Sequence, residues 1–116
     1  MTTEQTLPAP ASASCCTTLT AEPLDAAEAQ EFARTLKALA DPTRLRLVSL
    51  VAANSGSETC ACDLIEPVGL GQPTVSHHLK ILVDAGVLHR EKRGVWSYYS
   101  LAAETLERIA TFLSPV

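Results

Sequence analysis

The chain has 116 residues, 47% of them hydrophobic, and a formal net charge of −4. That length suits one small domain with a thin core. An acidic total excludes a protein that coats nucleic acid indiscriminately, and no run is long and apolar enough to span a bilayer.

Residues 1–24 read as a tail rich in Thr, Ala, Ser and Pro, with Pro8, Pro10 and Pro23 breaking any helix. The tail holds no Lys or Arg and no continuous apolar run, so no secretory signal is expected. The expected location is the cytoplasm, where thiols stay reduced. Its one chemical feature is the adjacent pair Cys15–Cys16.

Residues 25–116 read as the folded domain. Asp25 is a suitable N-cap for a first helix reaching about Ala40, with Ala29, Phe32, Ala33, Leu36 and Ala40 as its apolar stripe. Asp41–Pro42 is an N-cap followed by proline at the first helical position. It predicts a second helix over Pro42 to Ala53, apolar on most sides and therefore the central core helix, with Arg44 and Arg46 as its polar contacts. A loop over Asn54 to Glu58 follows. Thr59 could cap a short third helix from Cys60 to about Glu66, stopped by Pro67, and Val68 to Gly71 then form a turn.

Pro73 predicts the start of a fourth helix. Val75, Leu79, Leu82 and Val83 recur at helical period and form its inner stripe. Gln72 at its start, then Thr74, Ser76, His77 and Lys80, are left on or beside the outer face, with His78 near the core edge. Gly86 ends the helix as a left-handed cap. Val87 to Glu91 and Val95 to Leu101 read as strands joined by a turn at Lys92–Arg93–Gly94. A last helix over Ala102 to Leu113 carries a stripe of Leu106, Ile109, Ala110 and Leu113 that has no partner in so small a domain. The first and last helices are thus the candidate dimer interface.

The expected fold is mainly α with a β-hairpin wing, a winged helix-turn-helix. Such a helix fits a DNA major groove, and the hairpin tip can lie along a phosphate backbone. The charge distribution favours this over an unrelated α+β domain. Residues 1–73 are net −5, residues 74–94 are net +2, and residues 95–116 are net −1, which together give −4. All three histidines, His77, His78 and His89, fall in the basic segment. A basic stripe confined to the reading element is a footprint for double-stranded DNA. It is modest, so a homodimer that doubles it is expected.

Cys60–Ala61–Cys62 is the sharpest chemical feature. Two residues two apart on an intact helix point about 200° away from each other, so the pair can face one ion only from extended or distorted backbone. The start of a helix favours a thiolate, and thiolates suit soft ions. A third or fourth sulfur would come from Cys15 or Cys16, and sets of three and four both remain open. The plainer alternative is that Cys60 and Cys62 are small core hydrophobes. A thiol-based reductase would want a CxxC or a phosphate-type loop, and neither is present, so no enzyme is expected.

The runs LKALADPTRLRLVSLV, ETCACDLIE and GQPTVSHHLKILVDAGVLHREKRGVWSYYSL, in that order, resemble the ArsR/SmtB family of metal-sensing repressors over roughly residues 32–113. The resemblance implies a homodimeric winged helix that leaves operator DNA when it binds a metal or metalloid. Cys60-Ala61-Cys62-Asp63-Leu64 resembles the third-helix thiolate site of arsenite and cadmium/lead sensors, and Cys15–Cys16 resembles the N-terminal cysteines of some of them. The implied inducer is As(III), with Sb(III) beside it, and Cd(II) or Pb(II) on four cysteines is the alternative. The last helix has no histidine, which disfavours the zinc site of other members. Ser76 and His77 match the family's DNA-reading positions, with Thr74, His78 and Lys80 as neighbours, and Lys92 and Arg93 match the wing tip.

Overall fold

The computed structural model describes residues 22–54 and 58–114. Helix α1 (Ala26–Leu39) begins at Asp25 with a reciprocal capping box. The Glu28 amide donates to Asp25 and the Asp25 amide donates to the Glu28 carboxylate, which satisfies two N–H groups that a helix start leaves unpaired. Helix α2 (Pro42–Ala53) starts as expected, with Asp41 accepting from the Arg44 amide and proline in the first turn. That N–H holds the Asp41 carboxyl below its ordinary value, and the Arg44 guanidinium adds to the effect.

The next segment departs from expectation. Thr59 does not cap a helix. Thr59–Cys60 is a short strand, β1, and helix α3 (Cys62–Val68) begins only after Ala61. Thr59 is buried, and its hydroxyl accepts from the Asn54 side chain. Pro67 does not stop α3 but lies in its last turn, and the stop is Gly69 at φ 72°. Its left-handed backbone lets its N–H reach the carbonyls of Ile65 and Glu66. The expected helix start failed because β1 is recruited by a strand nearly 40 residues further on, an interaction that local propensity does not encode.

Helix α4 (Gln72–Asp84) buries Val75, Leu79 and Leu82 of the expected stripe and leaves Val83 half-buried. Gly86, at φ 82°, closes it, and the Val87 amide returns to the Leu82 carbonyl. Strands β2 (Leu88–Arg93) and β3 (Trp96–Leu101) form the wing. Lys92 and Arg93 are the last strand residues, not the turn, which is Gly94–Val95 between the paired Arg93 and Trp96. Gly94 takes φ 61°, so the tight turn centres on it. The sheet order is β1-β3-β2, all antiparallel. Helix α5 (Ala103–Leu113) closes the described chain.

One core unites these elements. Leu47 and Val51 of α2 meet Leu64 of α3, Val75, Leu79 and Leu82 of α4, and Val87, Leu88 and Tyr99 of the wing base. Helix α2 is central, although Leu45 on its far side is exposed. Helix α1 enters the core through Thr35 and Ala38 rather than through the expected stripe. Within that stripe Ala29, Ala33 and Ala40 are exposed and Phe32 and Leu36 are half-buried. Helix α5 buries only Ile109, leaving Phe112 and Leu113 exposed. Phe32 and Phe112 stack with ring centroids 5.1 Å apart beside a groove of about 740 Å³ that also meets Leu24 and Arg108. The two helices expected to face a second subunit thus share an open groove whose apolar centre, Phe32 and Phe112, is rimmed by Glu28, Glu104, Glu107 and Arg108.

Candidate nucleic-acid interface and thiol pair

Burial of one stripe of α4 leaves the other turned outward. Gln72, Thr74, Ser76, His77 and Lys80 are all exposed, so the expected reading residues share one accessible surface. Lys80 is held by Asp84 one turn on, at 2.8 Å, an i,i+4 pair that steadies the exposed face. His78 is different. It is half-buried, and its Nδ1 lies 3.1 Å from the Arg44 guanidinium, which also donates to the Ala38 carbonyl at 2.6 Å. A guanidinium only donates. Nδ1 must therefore accept, and the ring's proton sits on Nε2. Arg44 thereby sets which edge of His78 can donate, and ties α4 to α2.

The wing divides in the same way. Lys92 is exposed at the hairpin end. Arg93 is not a lone cation. Its Nη2 lies 2.6 and 2.7 Å from the two carboxylate oxygens of Glu58 and 2.9 Å from Glu91, shared between the two carboxylates, and the guanidinium lies 4.7 Å above the Tyr98 ring. Glu91 is held below its ordinary value by that guanidinium, and the two carboxylates push Arg93 further up. Reading the sequence alone missed Glu58, which falls in a loop 35 residues from Arg93 and carries no local pattern. Past the pair, Val95 and Trp96, the chain's one tryptophan, are 86% and 53% exposed.

The thiols lie at the junction of β1 and α3. Because Cys60 is on extended backbone and Cys62 is in the first helical position, the side chains converge instead of pointing apart. The Cys62 amide donates to the Cys60 sulfur at 3.3 Å, and the Cys62 thiol donates to the Asp63 carboxylate at 3.9 Å. Cys60 is half-buried and Cys62 exposed. The expected thiolate-favouring effect of a helix start is overturned. The Cys62 thiol is pushed up to about 11, first by the hydrogen bond with Cys60, then by burial and by the Asp63 carboxylate. A backbone hydrogen bond at the helix start still lowers it, but by less than those neighbours raise it. Cys15 and Cys16 lie outside the described residues. Among the described residues no cluster of three His, Cys, Asp or Glu is set to hold a metal ion. The donor set that is present, two adjoining sulfurs, suits a soft thiophilic ion.

Residues 41–90 match the model for the bacterial regulatory protein, arsR family. The chain is 41% identical over 80 residues to the arsenical resistance operon repressor of Staphylococcus xylosus, covering 69% of this chain and 74% of that protein. The chain belongs to the ArsR family. It is 40% identical over 75 residues to the arsenical resistance operon repressor of Bacillus subtilis, covering 65% of this chain and 70% of that one. A homodimeric winged helix-turn-helix DNA-binding domain from Mycobacterium bovis superposes with a TM-score of 0.64 at 27% identity, over 77% of this chain and 82% of that chain. The ArsR-family chain is thus a winged helix-turn-helix transcriptional repressor, and α3 and α4 are its helix-turn-helix.

Proposed function

We propose that this ArsR-family repressor binds operator DNA as a homodimer and releases it when As(III), or Sb(III) by the same chemistry, is captured by cysteine sulfur. The observation that carries this reading is the Cys60 sulfur held 3.3 Å from the Cys62 amide at the start of the helix that packs beside α4, which keeps the two cysteines together. Two sulfurs hold a soft ion weakly, and Cys15 or Cys16 is the proposed source of a third. Each bond to arsenic forms as a thiol replaces a hydroxyl group of arsenous acid, the thiol proton leaving in the water released. Relatives named for arsenical resistance support arsenic as the inducer. Symmetric operator half-sites would lie about 34 Å apart, one helical turn. Gln72, Thr74, Ser76 and His77 would face base edges, with His78 and Lys80 beside them, while Lys92 and Arg93 would serve the phosphate backbone.

The test is a titration of reduced protein with arsenite and, separately, with cadmium, following thiolate absorption and operator binding together. Wild type is compared with Cys15→Ser, Cys16→Ser, Cys60→Ser and Cys62→Ser. Release by arsenite at one ion per subunit, lost without Cys60 or Cys62 and without one tail cysteine, is expected. Release by cadmium alone, needing all four cysteines, would reassign the protein to Cd(II)/Pb(II) sensing. Undiminished release in Cys60→Ser and Cys62→Ser would remove the thiol pair from the switch.

A further inference from the structure

We propose that Glu58 is a positioning residue for the wing, and that strand β1 is the strut through which an ion held at Cys60 disengages that wing from DNA. The inference rests on the reading of Cys60 as part of the inducer site.

A hairpin of two six-residue strands has little stability by itself. The base of this one is anchored in the core by Leu88 and Tyr99, but from Glu91 to Trp96 every residue is exposed. Further contacts reach the hairpin from the segment around the cysteines, and one of them, from Glu58, reaches that outer half. Thr59 and Cys60 pair in register with Tyr99 and Tyr98. The Ala61 amide donates to the Ser97 carbonyl at 3.0 Å. Glu58 grips Arg93 with both carboxylate oxygens, and Arg93 lies over the ring of Tyr98, the residue opposite Cys60. The strand that carries the thiol is thus also the third strand of the wing.

Cys60 serves two masters in this arrangement. Its backbone is held in register with Tyr98, while an ion bridging Cys60 and Cys62 sets its own angles at each sulfur. Capture that pulls Cys60 out of register removes the pairing and draws Glu58 from Arg93. The wing then loses its support on the β1 side. An ion that binds better to the unpaired form shifts the population toward it. By linkage the coupling runs both ways, so weakening the strut must tighten the ion.

The experiment uses the full-length reduced protein, with Glu58→Gln, Arg93→Gln and the double variant beside wild type. Without ligand, Glu58→Gln should speed amide hydrogen exchange along Ser97–Tyr99. Arsenite should shift the emission of Trp96, the only tryptophan, in DNA-free wild type but not in Cys60→Ser. Each single variant should bind arsenite about two- to fivefold more tightly, the equilibrium equivalent of one exposed ion pair, and the double variant should add nothing further. Unchanged exchange in Glu58→Gln would refute the strut whatever the ion does. If arsenite binds and releases DNA while Trp96 emission and the variants' affinities stay at wild-type values, the strut is refuted and the thiol switch stands. If exchange speeds up but arsenite binds without Cys60, the thiol reading fails, and the coupling fails with it, although Glu58 keeps its positioning role.

Discussion

Replacing Phe112 by alanine tests whether the α1–α5 face joins two subunits. Phe112 stacks on Phe32 within one chain yet remains 47% exposed. A phenylalanine buries roughly 200 Å² when fully covered, so roughly 90 Å² per chain is left for a partner. At about 25 cal/mol per Å² that amounts to about 2 kcal/mol per subunit. A twofold interface uses each patch twice, giving about 4–5 kcal/mol per dimer, or about a thousandfold in the dissociation constant. Ordering costs at the interface make this an upper figure. Sedimentation equilibrium across micromolar to nanomolar protein reads the constant directly, with circular dichroism to verify that the variant folds. Operator binding should weaken in parallel, since a monomer presents one reading helix. A folded variant whose dimer constant lies within about threefold of wild type would refute the assignment of this face.

Other expectations follow from single contacts. Lys92→Ala should weaken binding to every DNA sequence alike and lower the magnitude of the salt slope by about one, whereas Ser76→Ala or His77→Ala should relax base preference at one operator position; equal effects on specific and random DNA from all three would undo the division between wing and helix. Arg44→Gln removes the charged donor at His78 Nδ1, so the imidazole nitrogen shifts in an NMR spectrum should report a changed tautomer balance, and unchanged shifts would mean that Arg44 does not set it. Leu79→Ala opens the centre of the core, where Leu79 is fully buried, and should cost about 2–5 kcal/mol in denaturant unfolding; a loss under about 1 kcal/mol would show that α4 is not anchored as described. Asp41 has a folded-state pKa below its ordinary value, so its cap contributes fully above about pH 4, the unfolded value, and that contribution disappears as pH falls through the depressed one. Asp41→Asn keeps an acceptor but no titration, so its stability should fall less steeply than that of wild type below pH 4, and parallel acid limbs would contradict the sign.

Much of this molecule was legible without coordinates because it is written in local periodicity. Asp25 and Asp41–Pro42 start helices wherever they stand, since an N-cap acts on amides three residues away. The α4 stripe sorts its own faces, and Gly86 fits a left-handed position that a Cβ would strain. The α5 stripe was only partly read: Ile109 is buried and Leu106 packs on the core, while Ala110 and Leu113 stay exposed. What tertiary structure decided are contacts between residues far apart in sequence. Cys60 is in a strand only because Tyr98 offers it a backbone ladder. A two-residue strand leaves no period to read, so helical propensity was the wrong guide there. Arg93 is clamped because folding brings Glu58 alongside it, and His78 has its tautomer set by Arg44 from another helix. Pattern determined which faces are apolar and which carry charge; only the fold could decide which charges meet, because meeting depends on chain reversal rather than on spacing along it.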